Sequence, residues 1–137
     1  MRVAAAGDMQ VREDREQLTV DLTHAYPVSA LVSAYQRTAM VLRREGLLRL
    51  IDAVELAQPT GIVFRFITPE RPQEIPGGLR LGPVDMTWEN HFAVKAVALN
   101  ARFPENAADG RPLYRVELSA APVARAYFGF TFAPAQD

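Results

Sequence analysis

The sequence contains no cysteine among its 137 residues. This absence excludes disulfide bonds, thiolate metal sites and cysteine nucleophiles, so packing must hold the fold together. Histidine is nearly as scarce, because only His24 and His91 are present and they lack the short spacing of a zinc site. The sequence therefore predicts no metal ion and no cofactor.

An excess of either charge is also missing, since 15 basic residues accompany 16 acidic ones and the net charge is -1. Without a strong positive field, nucleic acid is not an expected partner. No segment approaches the roughly 20 apolar residues that span a bilayer, and the first residues lack the hydrophobic stretch of a signal peptide. We therefore expect a soluble, cytoplasmic protein that binds neither nucleic acid nor a membrane.

Apolar residues, by contrast, make up 49% of the chain, which is enough for one core at this length. Residues 1–16 end in the charged cluster Arg12 to Glu16, which predicts a solvated arm or a short surface helix. Residues 17–137 are then expected to form a single domain.

Two segments alternate as half-buried strands do. Residues 17–23 place Leu18, Val20 and Leu22 on one side. Residues 126–132 place three phenylalanines on one face, at positions 128, 130 and 132. We expect both faces to be part of the core.

A long helix is predicted between these strands, beginning at Tyr26 and Pro27, because proline is favoured in the first helical turn. Gly46 follows as a natural helix stop. The apolar stripe of this helix consists of Val28, Leu31, Val32, Tyr35, Ala39 and Leu42.

The middle of the chain predicts strands joined by turns. A strand at residues 52–57 is expected to pair with residues 62–67 through a turn at 58–61, while residues 47–51 fit helix or strand equally well. Proline and glycine predict a long loop at residues 68–82 with a short strand at 79–81. Further predicted elements are a strand at 91–103, a loop at 104–112 and a strand at 113–120.

This order of elements predicts an α+β fold. A curved antiparallel sheet of about five or six strands would pack on one long N-terminal helix, as in cystatin-like or hotdog-like arrangements. The comparison concerns the order of elements alone and does not assign a function.

Two small groups of polar and aromatic residues are candidates for a site. Asp21 lies near His24 in the sequence and could orient its imidazole. Trp88, Glu89 and His91 form the densest polar and aromatic cluster. Each group also has a plain structural interpretation, as a helix entry for the first and as a core lid or interface anchor for the second.

The scarcity of catalytic groups favours a non-catalytic protein-binding or assembly subunit, in a homo-oligomer, with another protein partner or in a phage-like particle. Residues 113–120 or 126–132 would supply a sheet edge or an apolar face for the contact. The alternative is a small-molecule-binding protein or enzyme with a cavity between the helix and the curved sheet. Its walls would be Tyr35 or Trp88, and its polar groups Asp21, His24, Glu89 and His91.

Overall fold

The computed structural model describes residues 6–99 and 113–136, and these residues form one antiparallel sheet. The strands are β1 (Ala6–Val11), β2 (Arg15–Asp21), β3 (Val32–Leu42), β4 (Leu47–Thr68), β5 (Gln73–Ile75), β6 (Gly78–Leu81), β7 (Val84–Trp88), β8 (Ala93–Ala98) and β9 (Tyr114–Pro134). One 3-10 turn, Val28–Ala30, precedes β3. The strand order is β1-β2-β3-β4-β9-β7-β6-β5, and β8 also pairs with β9.

The sheet folds back on itself because β4 and β9 both bend. Phe64 pairs with Leu118 in the register of these two strands, and Phe130 lies twelve residues further along β9. A straight strand would separate Leu118 from Phe130 by about 40 Å, yet the ring centroids of Phe64 and Phe130 are 5.1 Å apart. The bend coincides with the register shifts between Glu55 and Ile62.

Two layers result from this bend. The wide layer contains β1, β2, β3, the first part of β4, the last part of β9, and β7, β6 and β5. The narrow layer contains residues 60–68 of β4, residues 114–120 of β9, and β8. The core lies between the layers, as expected for a sheet with one apolar face.

Aromatic rings fill the centre of this core. Phe64, from the narrow layer, meets Phe128 and Phe130 edge to face, with centroids 4.9 and 5.1 Å away. Phe92 stacks on the same two rings of the wide layer. Phe130 has no exposed surface and Phe132 is partly buried, so the core role predicted for the phenylalanines of residues 126–132 is confirmed.

The predicted long helix, and with it the α+β class, is wrong. Residues of the expected apolar stripe lie instead in β3, and Val28 is 83% exposed. Leu31 adopts a left-handed conformation (φ 58°) that ends the short 3-10 turn. After Leu31 the backbone is extended, and its N–H and C=O groups pair with β2 on one side and β4 on the other. An extended conformation also suits the β-branched and aromatic residues of β3.

Gly46 lies in a hairpin turn, whereas the sequence predicts that it ends a helix. Its φ of 67° closes the hairpin between β3 and β4, and its N–H donates to the carbonyl oxygen of Leu42 at 2.9 Å. A glycine after an apolar segment is compatible with both roles, since each requires a left-handed residue.

The hairpin predicted at residues 58–61 is also wrong. β4 continues through this segment, so residues 47–51 are strand and the expected turn is the bend of the sheet. Residues 113–120 and 126–132 likewise belong to one long strand, β9. Sequence breaks at Pro59, Gly61 and Pro122 mark bends in strands where ends were expected.

Other sequence predictions hold with adjusted bounds. The strand expected at residues 17–23 is β2, and the short strand at 79–81 is β6, although β5 also forms within the expected loop. The strand predicted at 91–103 is β8 in its described part, and the loop at 104–112 lies outside the described residues. The segment predicted as a charged arm, residues 1–16, contains β1 and the first two residues of β2 in its described part, and its first five residues are not described.

Candidate functional site

The core face of the wide layer extends across β3, β2 and β1. Cross-strand partners share a face in an antiparallel sheet, and the register links Phe130 to Leu50, Leu50 to Ala39, Ala39 to Leu18 and Leu18 to Met9. Phe130 is fully buried at one end of this row, whereas Leu18 and Met9 at the other end are 39% and 54% exposed. The narrow layer therefore covers only part of the apolar face.

The uncovered face is defined by the side chains of β1–β3 that share this side of the sheet and remain exposed. Its members are Met9 (54% exposed), Val11 (67%), Leu18 (39%) and Val41 (45%). Glu16 lies between Val11 and Val41 in the register and pairs with Arg43 at 2.6 Å. Single exposed apolar residues are common, but neighbouring ones on one flat face indicate a contact surface.

The opposite side of β1 and β2 is polar, and Thr38 of β3 shares it. Asp8, Thr19 and Thr38 face each other across the strands, and the hydroxyl oxygens of the two threonines are 3.4 Å apart. Gln10 and Gln17 form the next row. These strands therefore have the alternation of a half-buried sheet, although the part of their apolar side that contains Met9, Val11, Leu18 and Val41 remains exposed.

A second feature is the inter-layer cleft, a cavity of about 520 Å³ between the wide and narrow layers. Its apolar lining comes from β3 and both parts of β4. The lining residues with aromatic or polar side chains are Tyr26, Tyr35, Arg37, Thr60, Phe64, Arg65 and Phe66.

Tyr35 and Arg37, which line the cleft, form a hydrogen-bonded group with the buried Asp52. The guanidinium of Arg37 donates from Nε to Oδ1 and from Nη2 to Oδ2 of Asp52, both at 2.8 Å. The hydroxyl of Tyr35 donates to the same Oδ2 at 2.8 Å. Asp52 has no exposed surface, while the Arg37 side chain is 35% exposed. Such forked pairing fixes both the position and the orientation of the arginine.

This arrangement shifts the titration of its members. Burial raises the pKa of Tyr35 well above its ordinary value, and the adjacent Asp52 carboxylate raises it further. The hydrogen bonds to Asp52 raise the pKa of Arg37. The phenol therefore stays neutral and the guanidinium charged over the whole physiological range.

An aromatic pair stands next to this group. The rings of Tyr26 and Tyr35 are stacked with centroids 5.9 Å apart and planes inclined by 17°. Tyr26 is 43% exposed, so one of the two rings remains accessible.

The structure places Asp21 and His24 close together but gives Asp21 another partner. Hydrogen bonds from the hydroxyl and the backbone N–H of Thr23 hold the pKa of Asp21 below its usual value, and His24 contributes least. Both residues are exposed. Asp21 shares a shallow 300 Å³ depression with Tyr35.

Trp88 and Glu89 both line a 520 Å³ depression on the outer side of the wide layer, which His91 does not line. Trp88 packs edge to face on Phe92 with centroids 5.9 Å apart, so it also contacts the core. Its neighbour Asn90 uses its side chain to bond the backbone of Tyr127 and Gly129. The structure thus divides the predicted cluster between a depression and the open surface.

In the part of the chain that the structure describes, no long helix packs on the sheet, so the prediction of a cavity between a helix and the sheet is wrong, and the inter-layer cleft lies between two parts of one sheet. Sequence reasoning included Tyr35 but missed Arg37 and Asp52. A signal was available, because Asp52 alternates with Leu50 and Val54, which places a carboxylate on an apolar face. A buried carboxylate at such a position requires a hydrogen-bonded partner.

Residues 6–99 and 113–136 contain no group of three or more acidic or histidine side chains that could hold a metal ion. No helix in these ranges is long and apolar enough to cross a membrane.

No protein-family model matches the chain, and no curated protein matches it. Among solved structures, it is similar to the heparan sulfate lyase HepC from Pedobacter heparinus, with a TM-score of 0.61 and 11% identity over 97% of this chain. A mutant of that lyase matches with a TM-score of 0.62 and 10% identity. The chain spans 22% of the length of either lyase. At this identity the similarity concerns the fold alone, and a two-layer antiparallel sheet is the property that the chain shares with part of each lyase.

Proposed function

We propose that this chain is a non-catalytic association module and that its uncovered face packs against the same face of a second copy. The observation that supports this proposal is the continuous apolar row from the buried Phe130 to the exposed Leu18 and Met9. A sheet with one apolar face is stable when a second layer covers that face. The narrow layer provides such cover for only part of the wide layer.

A second copy suits this face for reasons of charge. The face is apolar, and its charged members, Glu16 and Arg43, carry opposite signs and already pair with each other. A twofold contact places each patch against itself, so a patch with a net charge would repel its copy. This patch has no net charge and fits such a contact.

The size of the face predicts a weak interaction. Three strands of about six residues cover on the order of 300 Å², whereas stable interfaces bury about 800 Å² on each partner. We therefore expect association that depends on concentration. The contact differs from the one predicted from sequence, because β4 pairs along one side of β9, while β8 and β7 pair with residues 114–119 and 130–134 along its other side.

The test compares Met9→Glu with Gln10→Glu by light scattering over a concentration series. Both positions are exposed and adjacent on β1, but they lie on opposite faces of the sheet. Each substitution adds one negative charge, so a difference between them reports the face and not the net charge. We expect the wild type and Gln10→Glu to associate with rising concentration, and Met9→Glu to remain monomeric.

Two results would overturn the proposal. One is a wild-type protein that stays monomeric at millimolar concentration. The other is equal association of Met9→Glu and Gln10→Glu, which would place the contact elsewhere on the molecule.

A further inference from the structure

We propose that the inter-layer cleft binds a small amphipathic anion, consisting of one or two aromatic rings that carry a carboxylate or a sulfonate. This site is separate from the uncovered face and does not depend on self-association. The proposal rests on the shape of the cleft, the charges that line it and the way in which Arg37 is held.

The cleft has the dimensions of a small-molecule site. Its 520 Å³ lies within the range of about 300–1,000 Å³ found for ligand pockets. Apolar side chains from the two layers, among them Val32, Leu56 and Ile62, form its walls. A few polar groups in an apolar lining are the usual composition of a site that fixes the orientation of its ligand.

The charged residues that line the cleft are both arginines. Arg37 lies in β3 of the wide layer and Arg65 in the part of β4 that belongs to the narrow layer. No carboxylate is among the described lining residues, since Asp52 lies behind Arg37 and has no exposed surface. The Arg65 side chain is 60% exposed and its Nε is 3.4 Å from Glu117, so Arg65 contributes less to the charge of the lining than Arg37 does. The lining therefore favours an anionic group.

Arg37 is oriented before any ligand arrives. Within the described ranges, the guanidinium donates only to Asp52, through Nε and Nη2. The two N–H groups of Nη1 remain available to another acceptor. Since the fork on Asp52 already fixes the side chain, binding an anion costs little additional rotamer entropy. A lysine at position 37 could not make this forked contact with the Asp52 carboxylate.

Aromatic side chains favour a ring as the body of the ligand. Tyr26 lies parallel to Tyr35 and is 43% exposed. Phe64 and Phe66 lie on the β4 segment of the narrow layer and line the same cleft. Planar rings pack well against such surfaces in stacked or edge-to-face geometry. An anion on the ring would then meet Arg37.

The experiment uses calorimetry with 1-naphthaleneacetate and its neutral amide, 1-naphthaleneacetamide, on the wild-type chain. The two ligands share the ring and differ in charge. We expect the acetate to bind at least about tenfold more tightly, because a charge-assisted hydrogen bond to Arg37 is worth that much. No measurable binding of the acetate, or equal affinity of the two ligands, would overturn the proposal.

Substitutions inside and outside the inter-layer cleft test where the acetate binds. Tyr26→Leu removes the accessible ring without touching the ion pair, and we expect it to weaken acetate binding about threefold to tenfold. Arg65→Gln should weaken it to a smaller degree, whereas Arg44→Gln, which removes an equal charge from an exposed position outside the cleft, should leave it unchanged. Met9→Glu is expected to bind the acetate as the wild type does. Loss of binding in Met9→Glu, or equal effects of Arg44→Gln and Arg65→Gln, would place the ligand elsewhere and contradict the proposal.

Discussion

The hydroxyl of Tyr35 and the guanidinium of Arg37 converge on one carboxylate, that of Asp52, and the hydrogen bond from Tyr35 measures 2.8 Å. Asp52 is fully buried, so these bonds replace the water that a carboxylate otherwise requires. The group thus links β3 to β4 through side chains as well as through the backbone ladder.

Removing Arg37 from the Arg37–Asp52 ion pair should destabilise the protein more than removing Asp52. Arg37→Met leaves Asp52 buried without its cation, which we expect to lower the free energy of unfolding by about 3–5 kcal/mol. Asp52→Leu leaves a guanidinium whose side chain is 35% exposed and can reach water, so its effect should be smaller. The double variant should be more stable than Arg37→Met alone. Urea unfolding of the three variants measures these differences, and strictly additive losses would contradict a coupled pair.

Alkaline pH should weaken the fold through Tyr35. Its pKa is raised in the folded state, so the unfolded chain loses the phenolic proton first as pH increases. The stabilisation is complete below the unfolded pKa of about 10 and is lost as pH rises above it. Unfolding curves between pH 8 and 11 should therefore show a steeper loss of stability for the wild type than for Tyr35→Phe. Parallel curves would show that Tyr35 does not control this loss.

Gly78 should tolerate no side chain. A Cβ at this position would overlap the carbonyl oxygen of Met86 and lie 2.8 Å from the Cα of Thr87. Gly78→Ala should therefore lower the free energy of unfolding by about 2–3 kcal/mol through forced separation of β6 and β7. Gly61→Ala is the matched control, because its Cβ would meet the carbonyl oxygen of Ala120 at an ordinary 3.6 Å. Equal melting temperatures for the two variants would contradict this interpretation.

Asn90 continues the pairing of β7 and β9 beyond the last backbone pair. Its amide nitrogen donates to the carbonyl oxygen of Tyr127 at 2.9 Å, and its oxygen accepts from the N–H of Gly129 at 3.1 Å. Asn90→Leu removes both bonds and should cost about 1–2 kcal/mol. The exposed neighbour Glu89 provides the control, since Glu89→Leu should change the free energy of unfolding by less than about 0.5 kcal/mol.

The sequence predicts those strands in which apolar and polar residues alternate clearly within one segment. The phenylalanines of β9 and the apolar side of β2 were identified in this way. The prediction for β3 is wrong because Val32, Tyr35, Ala39 and Leu42 fit a helical stripe as well as a strand. Pairing with β2 and β4 decides between these states, and a single segment does not contain that information.

The candidate site shows a similar limit. Tyr35 could be selected from sequence as an apolar wall, but its partnership with Asp52 depends on the register of β3 against β4. The exposure of Leu18 could not be foreseen either, since a strand with one apolar side predicts burial and does not say which layer provides it. The distances that define the inter-layer cleft arise from the shared bend of β4 and β9.

That bend also constrains the order in which the molecule can assemble. β4 pairs along almost its entire length with β9, and Leu48 and Phe132, which lie at one end of this pairing, are 84 positions apart in the sequence. Chains dominated by such distant pairings fold slowly, within milliseconds to seconds. During synthesis, the hairpins of β1–β4 can form early, but neither layer is complete until β9 has left the ribosome. One strand that serves both layers therefore makes the domain a single cooperative unit, in which loss of β9 removes the centre of both layers at once.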